Sequence, residues 1–269
     1  MRNRPFDVRH VPGFAAIAIA GFIVLYVPML VLSAYSFNSG DTIGQWEGFS
    51  LRWYFAAFQN DDIQRAALLS VWVATIAGVI ATASATAAAL ATSRGAGFRG
   101  QTLVMVVVNQ PLMVPEIVMA VALLILFAGI KVATGYTGGA YLIAAHTAFC
   151  IPFAYMPIRA RLDSMDHNLE NAAADLYAGP WTAFRRVTLP LLWPGILAGF
   201  MLAFVISLDD VVISEFVKSA GQETLPTYML GQLRRGVSAD VYAVSTLLLA
   251  ISIAIVAVFF TINKSGRTG

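Results

Sequence analysis

Residues 169–190 read LENAAADLYAGPWTAFRRVTLP, a polar stretch set between two apolar runs. Its first half suits a short helix, because Leu169, Ala172, Ala173 and Leu176 recur at helical spacing with Glu170 and Asp175 beside them. Gly179-Pro180 is expected to end that helix, as Gly and Pro do. A second amphipathic turn follows, with Trp181, Phe184 and Val187 on one side and Arg185 and Arg186 on the other. Pro190 then leads into an apolar run. A small-residue helix that exposes alanines lets another surface approach closely. The segment reads either as a knob for a protein socket or as an ordinary connector.

Moving outward, both flanks are long enough to cross a bilayer, which takes about 20 mostly apolar residues. Six such spans are expected, at about 14–37, 66–93, 101–130, 140–158, 191–213 and 241–263. The third of them carries one charge, Glu116. The reading is an all-α membrane protein with one transmembrane domain over residues 1–269 and a polar loop at 159–190. Composition agrees: only 12% of residues are charged and 58% are hydrophobic, against about 25% charged in soluble domains. Mean hydropathy is +0.73. The net charge of +2 is too mild, and the basic residues too dispersed, for a nucleic-acid surface. The N-terminus, with Arg2, Arg4 and Arg9 before an apolar run, is like a signal peptide. Its apolar core exceeds the 7–15 residues of such peptides, so it reads as a retained span. Cys150, alone of its type, reads as a small core residue.

Lysine and arginine placement orients the spans. With both termini inside, the cytoplasmic segments hold Arg2, Arg4, Arg9, Arg94, Arg99, Arg159, Arg161, Arg185, Arg186, Lys264 and Arg267. The outer segments hold fewer: Arg52, Arg65, Lys131, Lys218, Arg234 and Arg235. The loop at 159–190 is then cytoplasmic. The first outer segment gathers Trp46, Phe49, Trp53, Tyr54 and Phe58. It reads as an interfacial helix, or as part of a surface that receives a partner protein.

The loop resembles the EAA loop of ABC-importer permeases, whose pattern is Glu-Ala-Ala, three residues, Gly, nine residues, Ile, one residue, Leu-Pro. Here Asn171-Ala172-Ala173, Tyr177, Val187, Leu189 and Pro190 fall at the matching places. Asn171 replaces the Glu, with Glu170 just before it, and Tyr177 replaces the Gly. A glycine there permits a tight bend or close packing, and the Tyr177 ring is expected to fill that space. Ser36-Phe37-Asn38-Ser39, Arg52-Trp53-Tyr54, Phe98-Arg99-Gly100, Pro115-Glu116-Ile117-Val118, Ser207-Leu208-Asp209-Asp210-Val211-Val212, Thr224-Leu225-Pro226 and Arg235-Gly236-Val237 resemble the spermidine/putrescine importer permeases. The resemblance implies a type I ABC importer permease fold in a bacterial inner membrane. It also implies a second homologous permease, two copies of a cytoplasmic ATPase and a periplasmic binding protein. In it, Glu170, Asn171, Ala172, Ala173, Asp175, Tyr177, Leu189 and Pro190 form the ATPase-coupling loop. The sequence has no Gly-x4-Gly-Lys-Ser/Thr loop, so no cofactor is expected on this chain and ATP is left to the partner. No nucleophile–base constellation or metal-ligand cluster is evident, so no catalytic role is expected.

Charges inside spans mark functional candidates. Glu116 is expected about 14 residues into the third helix, roughly 21 Å along it, following Pro111 and Pro115. Asn109 shares its face if the helix survives the prolines. Asp209 and Asp210 are expected at a similar depth in the fifth helix, with Glu215 nearer the outer interface. Carboxylates at one level could replace the water around an amine, with Tyr155 and Tyr228 adding acceptors or cation–π faces. Against this, Asp209 and Asp210 could cap a broken helix or pair with Arg234 and Arg235. Glu116 could pair with a helix of a partner permease. His146 reads as a satisfied polar group between helices, and His10 and His167 as solvated. The leading reading is a polyamine importer permease. Permeases for another solute (an opine, a phosphonate, a metal ion) and a stand-alone secondary transporter are the alternatives.

Overall fold

A computed structural model describes residues 13–41, 44–93, 97–166, 168–235 and 239–265. Arg2, Arg4, Arg9, His10, Arg94, His167, Gly236, Val237 and Arg267 lie outside the described residues, as does the side chain of Lys264. The chain runs α1 (Phe14–Tyr35), α2 (Arg52–Gln59), α3 (Asp61–Ser93), α4 (Gln101–Met113), α5 (Glu116–Thr134), α6 (Ala140–Asp163), α7 (Asn168–Asp175), α8 (Pro180–Ala183), a π-turn (Phe184–Thr188), α9 (Leu189–Asp209), α10 (Val212–Val217), α11 (Leu225–Arg235) and α12 (Ala239–Ser265). Among the described residues, six helical segments are long and apolar enough to cross a membrane.

Four expected boundaries move, each for a local reason. The third span is not one helix. The residue before a proline is driven out of the α region, and Val114 is extended (φ −100°, ψ 135°) before Pro115. Helix α4 therefore stops at Met113, and Glu116 opens α5 rather than lying mid-helix. Asn109 sits on the other side of that break, with its Nδ2 donating to Met105 O at 2.7 Å. The fifth span ends at Asp209, earlier than expected, because Asp210 is extended (ψ 124°). Helix α3 begins at Asp61, where two acids in the first turn complement the helix dipole. Helix α6 runs on to Asp163, taking Arg159 and Arg161 out of the expected loop.

Contacts divide the chain into two units, Met1–Asn60 with Gln232–Ala250, and Asp61–Gly231 with Ile251–Gly269. In the first unit, α1 is apolar and exposed on every side, as a lipid-facing span is. After it, side-chain contacts tie Phe37 and Asn38 to residues 45–53. Asn38 Nδ2 donates to Gln45 O at 2.7 Å and its Oδ1 accepts Glu47 N at 2.9 Å. Trp53 Nε1 donates to Asn38 O at 3.0 Å, and Phe37 stacks on Phe49 at 5.6 Å. Helix α2 leaves Phe55 and Phe58 exposed, which agrees with an interfacial helix.

In the second unit, α3, α6 and α9 pack on one another. Helix α3 offers Ala74, Ala77, Ala81, Ala85 and Ala89, all fully buried and spaced three or four apart. Lipid tails are as apolar as leucine, so close packing of small residues is what holds such helices together. Gly195 and Gly199 of α9 bring it against α6: a Cβ at Gly195 would lie 2.6 Å from Arg161 Cβ, and one at Gly199 would lie 2.8 Å from Ala154 O. Arg161 Nε adds a bond to Leu191 O at 2.9 Å.

Candidate functional site

Two helix breaks meet in the second unit. At the first, Pro115 places Glu116 in the opening turn of α5, where the exposed backbone N–H groups favour an acid. At the second, α9 ends and α10 begins two residues after Asp210. Asp210 Oδ1 accepts the backbone N–H of Ser214 at 2.9 Å, which satisfies an otherwise unpaired donor of α10. Helix α6 completes the cluster with His146, which is 1% exposed. Its Nδ1 lies 2.8 Å from Ser207 Oγ and its Nε2 2.9 Å from Ser214 Oγ. Nε2 also comes within 3.8 Å of Asp210 Oδ1. His146 is thus the satisfied polar group the sequence suggests, and it joins α6, α9 and α10.

The carboxyl groups of Glu116 and Asp210 lie close enough to interact electrostatically. Asp210 Oδ2 is buried and has no donor among the described residues. Ionised carboxylates only accept hydrogen bonds. Facing each other, they need a proton or a cation between them, because two buried like charges repel. The neighbours Asp209 and Asp210 therefore differ: Asp209 is exposed, whereas Asp210 is buried and faces Glu116. Capping a broken helix and facing a cation are compatible for Asp210, because its two oxygens serve separately. Beside the α4–α5 break lies an apolar cavity of about 380 Å³, lined in part by Pro111, Val114, Val118, Leu123 and Ile151.

The other candidates lie elsewhere. Glu215 is paired with Lys218 at 2.8 Å, which balances its charge locally. Tyr155 is nine residues beyond His146 on α6, about 13 Å along the axis. Its hydroxyl lies 3.1 Å from Thr92 Oγ1, which also accepts from Arg159 at 3.1 Å. That polar cluster holds α3 to α6 at the loop end and does not join the acid pair. Tyr228 is buried in the first turn of α11, whose Leu225 N donates to Ser70 Oγ at 2.7 Å.

The loop differs from its sequence reading in two respects. Helix α7 ends at Asp175, before Gly179, and Tyr177 makes the turn. Ala178 N donates to Ala173 O at 3.0 Å and Tyr177 N to Ala174 O at 2.9 Å. This pair of bonds is the Schellman helix stop, whose turning residue is left-handed and usually glycine. Tyr177 takes that conformation at φ 59°, which costs a residue with a Cβ about 1–2 kcal/mol. Its ring is 98% exposed, so it does not fill a space in this chain. Gly179 instead is extended and caps α8, with Pro180 at the first helical position.

From Pro180 the chain continues without a stop through the π-turn into α9. Thr188 Oγ1 donates to Glu170 Oε1 at 2.8 Å, fastening α7 to the foot of α9. Thr188 has no motif to announce it. Ser207 and Ser214 flank the Asp209-Asp210 pair in sequence, a weak signal that the sequence reading passed over.

Residues 83–265 match the model of the binding-protein-dependent transport system inner membrane component. The chain belongs to this family. It is a multi-pass inner-membrane permease subunit, of a kind that works with an ATPase and a substrate-binding protein. It is 36% identical over 252 residues to the putrescine transport system permease protein PotI of Escherichia coli K12, covering 93% of this chain and 89% of that one. It is 37% identical over 237 residues to the spermidine/putrescine permease PotC of the same strain, covering 87% and 88%. Among solved structures, a bacterial ABC transporter that imports the polysaccharide alginate superposes with a TM-score of 0.69 at 15% identity, over 93% of this chain and 92% of that one. The MetNI methionine transporter gives 0.61 at 19% identity, over 75% and 94%. The permease therefore has the ABC importer permease fold.

Proposed function

We propose that this permease carries a polyamine-like cation, putrescine or spermidine in kind, from a periplasmic binding protein into the cytoplasm. The observation that carries the reading is Asp210 Oδ2, buried without a donor against Glu116. An alkylammonium supplies the missing N–H donors and the missing positive charge together. The names of the relatives PotI and PotC support the same cargo. The chain acts as a single permease domain beside a second homologous permease, and two partner ATPase copies bind and hydrolyse the ATP. Asp209, Tyr228 and Glu215 are secondary candidates for contacts with the cation, and Lys218 already balances the charge of Glu215.

Coupling runs through the loop. Ala172 and Ala173 let the ATPase approach, and Glu170 and Thr188 pass its motion to α9. The break that holds Asp210 lies at the other end of that same helix. Docking that differs between two states is what shifts their populations.

The cargo is tested by reconstituting the permease with its partner permease, ATPase and binding protein, and measuring ATP-dependent uptake of labelled putrescine and spermidine. Uptake with competition by unlabelled amine is expected. No uptake of either amine would assign the transporter to another solute, such as an opine, a phosphonate or a metal ion. Uptake without the ATPase would make it a secondary transporter.

The strut is tested separately. Glu170→Ala is expected to lower uptake about tenfold, the worth of a hydrogen bond to a charged group, while ATP hydrolysis continues. Glu170→Gln keeps an oxygen acceptor for Thr188 and is expected to retain most of the uptake. Equal loss in both variants would mean that charge, not the bond to Thr188, matters.

A further inference from the structure

We infer that Tyr177 is an aromatic anchor on which the partner ATPase docks, and that it sets which ATPase this permease accepts. The inference rests on the docking role proposed for the loop, and it concerns a residue at which this chain departs from the EAA pattern.

Two observations converge on Tyr177. Its backbone is left-handed at φ 59°, and among the described residues it is the non-glycine residue with positive φ. The helix stop there works best with glycine, so nothing in local folding favours a tyrosine. The ring is 98% exposed, so nothing in the packing of this chain favours it either. What the ring does provide is a rigid, amphipathic surface at low conformational cost, the property that enriches tyrosine in protein interfaces.

Its surroundings complete a docking patch. Leu176 is 82% exposed and Trp181 70% exposed, on either side of the turn. Trp181 is held in place by Phe184, with ring centroids 5.5 Å apart. The left-handed turn aims the tyrosine away from its own chain, as a loop tip does. Along α7, Ala172, Ala173 and Ala174 offer a low surface that lets a backbone come close. Glu170 and Asp175 flank it on α7, and exposed Arg185 and Arg186 stand on the turn packed beside it. Both signs of charge therefore rim the patch, as at a protein interface rather than on an anionic bilayer surface. The Gly of the EAA pattern leaves a partner surface flush at this point, whereas Tyr177 requires a recess in the ATPase.

The prediction is measured as the affinity of the purified ATPase for the complete permease pair in nanodiscs. Tyr177→Gly relieves the backbone and removes the ring, and is expected to weaken binding by about 10- to 100-fold, as loss of an interface hot spot does. Tyr177→Asn, which also tolerates the left-handed turn, is expected to match it. Tyr177→Phe keeps the ring and is expected to stay within about threefold of the parent. Gly and Asn variants that bind as the parent does would overturn the inference and leave the docking role of the loop intact. A parent permease that binds no ATPase at all would remove both. Quenching of Tyr177→Trp fluorescence by brominated lipid, undiminished by ATPase, would place the ring in the bilayer interface and overturn the inference as well.

Discussion

Asp210→Asn is expected to lower amine uptake about a hundredfold while the transporter still assembles. Asn is nearly the same shape as Asp, and its side-chain oxygen still accepts the N–H of Ser214, so α10 keeps its start. The other oxygen becomes an NH2 group. Facing Glu116, that group supplies the donor the pair lacks, and the site no longer needs a cation. Removing one member of a buried charged contact costs about 2–5 kcal/mol, and a hundredfold is about 2.7 kcal/mol. Asp209→Asn is the control. Asp209 is exposed, and its replacement is expected to change uptake by no more than a few fold. The measurement is initial uptake rate at saturating binding protein, with assembly followed by copurification of the ATPase. Unchanged uptake in Asp210→Asn would leave Asp210 with its capping role alone.

Gly199→Val is expected to give the largest loss of stability. A Cβ there would lie 2.8 Å from Ala154 O and 3.0 Å from Ile158 Cδ1. The first of these is backbone and cannot swing aside, so α6 and α9 must separate. Overpacking of this kind costs about 1–3 kcal/mol or more, and 3 kcal/mol lowers a melting midpoint by about 6–12 °C in a chain of this size. The separation would also disturb His146, which bridges α6 to Ser207 of α9. Gly129→Val in α5 is the comparison, because nothing lies within 4 Å of a Cβ there. It is expected to shift the midpoint by only a degree or two. Thermal unfolding of the detergent-solubilised permease measures both. Equal midpoints for the two variants would show that α6 and α9 can repack around a larger side chain.

The expected spans and the membrane-length helices among the described residues agree in number, although the third expected span is broken at Val114-Pro115. That agreement has a simple cause. In lipid every backbone group must be bonded within its own helix, so length and hydropathy alone mark a span. The loop was legible for another reason: the spacing of Asn171-Ala172-Ala173, Tyr177, Val187, Leu189 and Pro190 is a local pattern that can be read without the fold. Glu116, Asp209 and Asp210 stood out because charge inside an apolar run is costly. The break before Glu116 was also open to reading, since Val114-Pro115 carries it.

The tertiary structure decided the rest. Adjacent residues look alike in sequence, yet α9 ends between Asp209 and Asp210, so one is exposed and the other is buried against Glu116, 94 positions away. No local pattern records which of two neighbours turns inward at a helix break. His146 is bonded to Ser207 and Ser214, and Thr188 to Glu170, by contacts that only folding creates. Tyr155 and Glu215, chosen as polar groups in or near spans, found their partners in Thr92 and Lys218. The sequence by itself determined a six-span permease with an EAA-like loop, because the bilayer and the motif act on local patterns. Which acids meet, and where Tyr177 points, depended on the packing of α6 against α9 and on one left-handed residue. Those are properties of the assembled helices, not of any segment read alone.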